Sequence, residues 1–131
     1  MGYFAKAVDS LGSYLYVLFR VLVGLMFFMH GWGKLFGEKA MPLASLMGVA
    51  GVIEIAVGIA VVFGLFVRLF AALGAIQMIV AFVKVHAPQG LNPLANGGEL
   101  AVLYFTAFLV LFAYGAGRLA LEQALLNKET F

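Results

Sequence analysis

A chain of 131 residues makes one domain at most, here taken as a single unit over 1–131. Hydrophobic residues are 65 % of it and charged residues 11 %, against about 45–50 % and 25 % in soluble domains, an excess that so small a soluble protein cannot hide. The net charge of +2 is scattered, which removes nucleic-acid binding, and the absence of cysteine removes disulfide relays and thiolate-held clusters. The composition is that of an integral membrane protein in contact with lipid.

Met1 to Ser13 is short and mixed, with Lys6 and Asp9, and is expected to be a frayed end. The first apolar run, Tyr14 to Leu35, makes a helix of about 33 Å, enough to cross a hydrocarbon core. It is too long for a secretory signal, ends in His30 and Lys34, and is followed by three more such runs. Its closing stretch, His30-Gly31-Trp32-Gly33-Lys34, is either an interfacial anchor or part of a site. Gly37 to Pro42 reads as a tight turn, with Pro42 suited to the first turn of the next helix. That helix, Leu43 to Phe63, is interrupted by Ser45, several glycines and one acid, Glu54. A turn over Gly64 to Val67 leads into a third helix from Arg68 to Val85, which carries Gln77 inside and Lys84 at its end. The stretch His86 to Gly98 is full of turn residues and breakers. A fourth helix is expected from Glu99 to Gly117, followed by an amphipathic or loose tail over Arg118 to Phe131.

Four such spans with short connections predict an all-α, transmembrane, up-down-up-down four-helix bundle. Lys6, Arg20, Arg68, Arg118 and Lys128 fall at one side, and Lys34, Lys39 and Lys84 at the other. The positive-inside rule then puts both termini in the cytoplasm. Helical periodicity gives each span a small, partly polar stripe. These are Arg20, Gly24, Phe27, Gly31 and Lys34 on the first, with His30 at the edge, and Gly51, Glu54 and Gly58 on the second. The third carries Gly74, Gln77, Ala81 and Lys84, and the fourth Glu99, Thr106, Ala113 and Gly117. In lipid such stripes turn inward, so the four are expected to meet.

Glu54 is the sharpest residue, because lipid exposure of a carboxylate at mid-span costs about 2.5–3.5 kcal/mol on insertion scales. It is paired, protonated or open to a cavity; it either handles protons or ligand, or makes a structural hydrogen bond to Arg20, Gln77 or backbone. Depth favours the protonated form unless a cation or a water-filled cavity reaches it, since the lysines are expected about half a helix length away. His30, Lys34, Lys84, His86, Asn96 and Glu99 are expected at one end of the bundle. There His30 is a ligand contact or a packing residue, the lysines donate or snorkel, and Glu99 acts at a site or caps its helix. Arg20 snorkels to phosphate or pairs inward. Trp32 is expected to anchor the interface. The two histidines and two glutamates match no metal motif, so no metal site is expected. Phe27 and Phe63 are candidate walls of a flat apolar cavity near Glu54.

In its motifs the chain resembles the DoxX family of small bacterial membrane proteins. They are Arg20-Val21-Leu22-Val23-Gly24 and His30-Gly31-Trp32-Gly33-Lys34 in the first span, and Gly51-Val52-Ile53-Glu54 with Gly58 in the second. Asn96-Gly97-Gly98-Glu99 and Gly115-Ala116-Gly117-Arg118 flank the fourth. Where family members often carry an Asp after the fourth span, this chain has Leu119-Ala120-Leu121-Glu122. The resemblance implies a four-helix inner-membrane protein, with members associated with respiratory quinone chemistry, oxidative or thiol stress, and quinone or catechol detoxification. The positions it carries over are Arg20, His30, Lys34, Glu54 and Glu99.

The leading expectation is an accessory subunit, or a binding protein for a small hydrophobic ligand such as a quinone, serving a partner oxidoreductase. A quinone needs an apolar slot and a donor at its carbonyls, which His30 or Lys34 supplies, while Glu54 delivers a proton. No electron carrier is visible, and His30 and His86 fall at the same end rather than as opposed haem ligands, so an autonomous redox enzyme is not expected. The alternatives are a small transporter or exporter, which with four helices has to be a homodimer, and a structural assembly factor.

Overall fold

The computed structural model describes residues 2–126, and all regular structure among them is helical. In order these are α1 (Tyr3–Phe36), α2 (Leu46–Phe63), α3 (Val67–Ala81), α4 (Glu99–Tyr114) and a short α5 (Leu121–Leu126). A π-helical turn, Phe82–His86, and a 3₁₀ turn, Ala87–Gln89, continue α3. Three helical stretches are long and apolar enough to cross a membrane: Tyr3–Phe36, Leu46–Phe63 and Val67–Gln89. The fourth, α4, is apolar but shorter, at 16 residues.

Several boundaries differ from the sequence expectation. The N-terminal segment is not frayed: α1 starts at Tyr3 and runs for 34 residues, about 51 Å. Its first turns contain no proline and only Gly12 as a weak former, so nothing stops the helix from extending. Pro42 lies outside α2, whose N-cap is Ser45; the Ser45 hydroxyl accepts from the Gly48 amide at 3.0 Å. Gly64 ends α2 in the left-handed region at φ 74°, accepting no side-chain penalty there. On the far side α4 stops at Tyr114, because Gly115 and Gly117 both take positive φ (75° and 70°). Lys128 lies outside the described residues.

The helices pack in two close pairs, α1 with α2 and α3 with α4, joined mainly through α2 and α3. Each pair is antiparallel. Gly24 lies against Gly58 and Val62, while Gly31, two turns on, lies against Gly51 and Glu54. Gly74 meets the Phe108 ring, and Gly98 meets Phe82. The α1–α2 crossing depends on glycine in the literal sense. A Cβ on Gly31 would stand 2.6 Å from the Gly51 carbonyl, and one on Gly58 would stand 2.7 Å from the Gly24 carbonyl. The core beneath is Val23, Phe27, Val57, Val61, Val67, Ala71, Phe108 and Leu111, all buried.

The inward stripes expected on α1 and α2 are buried: Arg20, Gly24, Phe27 and Gly31 on one, Gly51, Glu54 and Gly58 on the other. The stripe expected on α4 is a correction. Glu99, Thr106, Ala113 and Gly117 are exposed, and Ala101, Tyr104, Phe108 and Leu111 face inward instead. Thr106 donates its hydroxyl to the Leu103 carbonyl at 2.7 Å, so its own helix satisfies it and lipid exposure is cheap. The aromatic side of α4 has the better partner, since Phe27 packs edge-on against Phe108 and tilted against Tyr104.

Candidate functional site

The antiparallel register of α1 and α2 brings Glu54 its partner. Gly31 sits directly over Gly51 and Glu54, so Lys34, one turn further along α1, passes the bare surface of Gly51 and reaches the carboxylate. Lys34 Nζ and Glu54 Oε1 form an ion pair. Glu54 is 2 % exposed and the lysine side chain 25 %. Gln77 completes the arrangement from α3, its Nε2 donating to Glu54 Oε1 at 2.9 Å and reaching the Ala50 carbonyl at 3.5 Å. The expected distance of half a helix length between Glu54 and the lysines is therefore corrected for Lys34, because a long side chain crosses to the neighbouring helix instead of climbing its own.

Against this triad lies a cleft of about 390 Å³ between α2 and α3. Its walls are Leu46, Met47, Val49, Ala50 and Ile53 from α2, and Leu73, Ile76, Val80 and Ala81 from α3. The polar groups on its lining are Lys34, Gln77, Lys84 and His86. Lys84 and His86 come from the π turn, where the i→i+5 pattern loosens the helix end. His86 is held by Nδ1 at 3.3 Å from the Asn96 carbonyl; Asn96 in turn is buried and donates to the Gly90 carbonyl at 2.7 Å. A carbonyl only accepts, so Nδ1 is the protonated nitrogen in that contact. The cleft is a mostly apolar slot with a few hydrogen-bonding groups on its lining, as small-molecule sites are built. A larger recess of about 460 Å³ lies near Tyr16 and Arg118, but the buried ion pair backs the α2–α3 cleft.

Not all the expected residues join it. His30 is exposed on the other side of α1, edge-on to the Tyr104 ring at 5.7 Å, in a shallow groove with Met26, Met29 and Leu100. Glu99 is exposed in the first turn of α4, where the helix dipole favours an acid. Arg20 is 1 % exposed, and among the described residues it pairs with no acid. It donates to the carbonyls of Ala116, Arg118, Leu119 and Val62 at 2.5, 3.0, 3.0 and 3.3 Å. Phe27 is buried among Tyr104 and Phe108, and Phe63 is exposed; neither lines the cleft. Trp32 is half exposed between Phe28 and Phe36 near the end of α1, an aromatic group of the kind found at interfaces. His86 and Tyr104 gain most from the structure. Tyr104 lies within electrostatic range of Glu54, and no polar stripe in the sequence had singled it out.

The DoxX family pattern matches residues 15–87, from within α1 through the π turn that lines the cleft. The chain belongs to the DoxX family. The matched region contains Lys34, Glu54, Gln77, Lys84 and His86, so every polar group of the cleft lies in the family's defining part. An uncharacterized protein of Haemophilus influenzae is 36 % identical over 132 residues, covering 92 % of this DoxX chain and 98 % of its own length. No solved structure matches the chain at the same stringency.

Proposed function

We propose that this DoxX membrane protein binds a small hydrophobic ligand in the α2–α3 cleft, quinone-like in having a flat apolar body and a hydrogen-bond-accepting head. The ligand is held on behalf of a partner oxidoreductase in respiratory or oxidative-stress chemistry. The observation that carries this is the cleft itself, about 390 Å³ with a mostly apolar wall and the ammonium groups of Lys34 and Lys84 on its lining. A quinone carbonyl accepts hydrogen bonds and carries no charge, so it suits a slot whose ammonium groups are available to donate.

The setting proposed is the bacterial inner membrane, crossed four times up and down, with both termini cytoplasmic. α4 has 16 residues, about 24 Å against a hydrocarbon core of about 30 Å, a mismatch that local thinning and flanking residues accommodate. A reporter inserted in the Gly90 loop then reads periplasm; a cytoplasmic reading reverses the orientation. The binding role is tested on protein purified in mild detergent, whose organic extract is analysed by mass spectrometry. A quinone at about one per chain, lost in Gln77→Leu with the fold intact, is the expected result. An extract containing only bulk phospholipid contradicts it.

A further inference from the structure

Two buried acceptor atoms of the site have no donor among the described residues: Glu54 Oε2 and Gln77 Oε1. The side chains that carry them are already joined through Gln77 Nε2 and Glu54 Oε1. Turning the Gln77 amide over does not help, because Nε2 faces two acceptors, Glu54 Oε1 and the Ala50 carbonyl, and a flip would set oxygen against oxygen. What is short here is a hydrogen. A carboxylic acid has an O–H where a carboxylate has none, so one proton on Glu54 Oε2 turns one of these oxygens into a donor, beside the side chain that holds the other.

Lys34 is the ion-pair partner of that carboxylate. Its ammonium neutralises the carboxylate, yet it is the more exposed partner and lines the cleft, so it is the one a ligand can draw off. We propose that the Glu54–Gln77 pair is a proton site governed by Lys34, and that an amphiphile with an anionic head entering the α2–α3 cleft binds together with one proton. This rests on the cleft being the ligand site, and it extends the accepted head from a neutral carbonyl to an anion. The exchange balances. Before binding, Lys34 and Glu54 sum to zero; afterwards the anionic head pairs with Lys34, a proton from solution sits on Glu54, and the buried site again sums to zero. Without the proton, an uncompensated carboxylate would stay buried, which burial strongly disfavours. The other groups around Glu54 suit this exchange. Lys84 and His86 add positive or protonatable groups on the cleft lining, Tyr104 on α4 lies within electrostatic range of the acid and against His30, and no acid among the described residues lines the cleft.

The first test needs no ligand. Lys34→Met removes the ammonium and keeps the bulk, so infrared spectra of the variant at neutral pH are expected to show the carbonyl band of a protonated carboxylic acid. The band is expected to vanish in Lys34→Met/Glu54→Gln. A folded Lys34→Met with Glu54 still ionised overturns the proton site. Should Lys34→Met fail to fold, the wild-type protein decides, with decanesulfonate as a probe of fixed charge and decanol as its neutral control, both below denaturing concentration. Decanesulfonate affinity is expected to rise about tenfold per unit fall in pH across the window where free Glu54 is ionised and bound Glu54 is protonated. A pH-indicating dye should then report about one proton taken up per molecule bound. Glu54→Gln is expected to bind decanesulfonate without that pH dependence, which also separates Glu54 from His86. A pH-independent affinity, an uptake that survives Glu54→Gln, or equal uptake with decanol overturns the coupling. If neither probe enters the cleft, the ligand site fails and the coupled binding with it, while the Lys34→Met spectra still judge the proton site.

Discussion

Gly31→Leu and Gly58→Leu are each expected to prevent the protein from accumulating in the membrane. At both positions a Cβ meets backbone on the facing helix: the Gly51 carbonyl and Ile55 amide at 2.6 and 2.8 Å for Gly31, and the Gly24 carbonyl and Phe28 amide at 2.7 Å for Gly58. Backbone cannot rotate aside as a side chain can, so α1 and α2 must separate. Overpacking alone costs about 1–3 kcal/mol. At Gly31 the separation also parts Lys34 from Glu54, and breaking a buried pair adds about 3–5 kcal/mol. Against a total stability of about 5–15 kcal/mol, the combined loss is disabling. Gly33→Ala is the control. Two residues away on the same helix, its Cβ meets nothing within 4 Å, so helix propensity predicts a gain of up to about 1 kcal/mol. Membrane yield and thermal unfolding in detergent check all three. A Gly31→Leu protein as abundant and heat-resistant as the parent would mean that the helices do not cross at these glycines.

Arg20→Met is expected to unfold the other end. The guanidinium gathers four backbone carbonyls, Val62 near the end of α2 and three from the segment between α4 and α5, including that of Leu119, whose φ of 52° is rare outside glycine. Methionine replaces much of the bulk and none of the donors. Each carbonyl left buried without a donor costs about 1–3 kcal/mol, so losing two removes a large part of the available stability. Arg20→Lys is expected to fall between, since an ammonium does not fork across several acceptors as a guanidinium does. Unfolding midpoints in detergent should rank wild type, Lys, Met. Because Arg20 lies at the end remote from the cleft, any ligand affinity that folded Arg20→Lys retains should equal the parent's. A drop in affinity without a drop in stability would make Arg20 a ligand residue after all.

The sequence made the α1–α2 half of this legible because lipid leaves few reasons to place glycine, arginine and glutamate along one stripe. Gly24, Gly31, Gly51, Glu54 and Gly58 declared their side before any coordinates. The same rule failed on α4. Polarity named Glu99 and Thr106, but a threonine bonded to its own helix and an acid at a helix start have no need of the interior, whereas Tyr104 and Phe108 had the Phe27 ring and the bare face of Gly74 to fill. Periodicity also could not give the Lys34–Glu54 pair. It fixes which side of a helix a residue takes, while the pairing depends on the sliding register between two helices, set by where their glycines interlock. Lys84 already stood on the inward stripe of the third helix, but its place on the cleft lining together with His86 depends on a π turn that no 3.6-residue pattern anticipates.

The central claim, that the α2–α3 cleft is the ligand site, is tested most directly by photoaffinity labelling. A short-chain quinone bearing a diazirine is irradiated with the protein in proteoliposomes, and the labelled peptides are mapped with and without excess unlabelled quinone. The account predicts competed labels on the cleft walls, within residues 46–53 and 73–85. Competed labels on Met26, Met29 or Leu100 in the α1–α4 groove, or labels spread over the lipid-facing surface and indifferent to competitor, would contradict it.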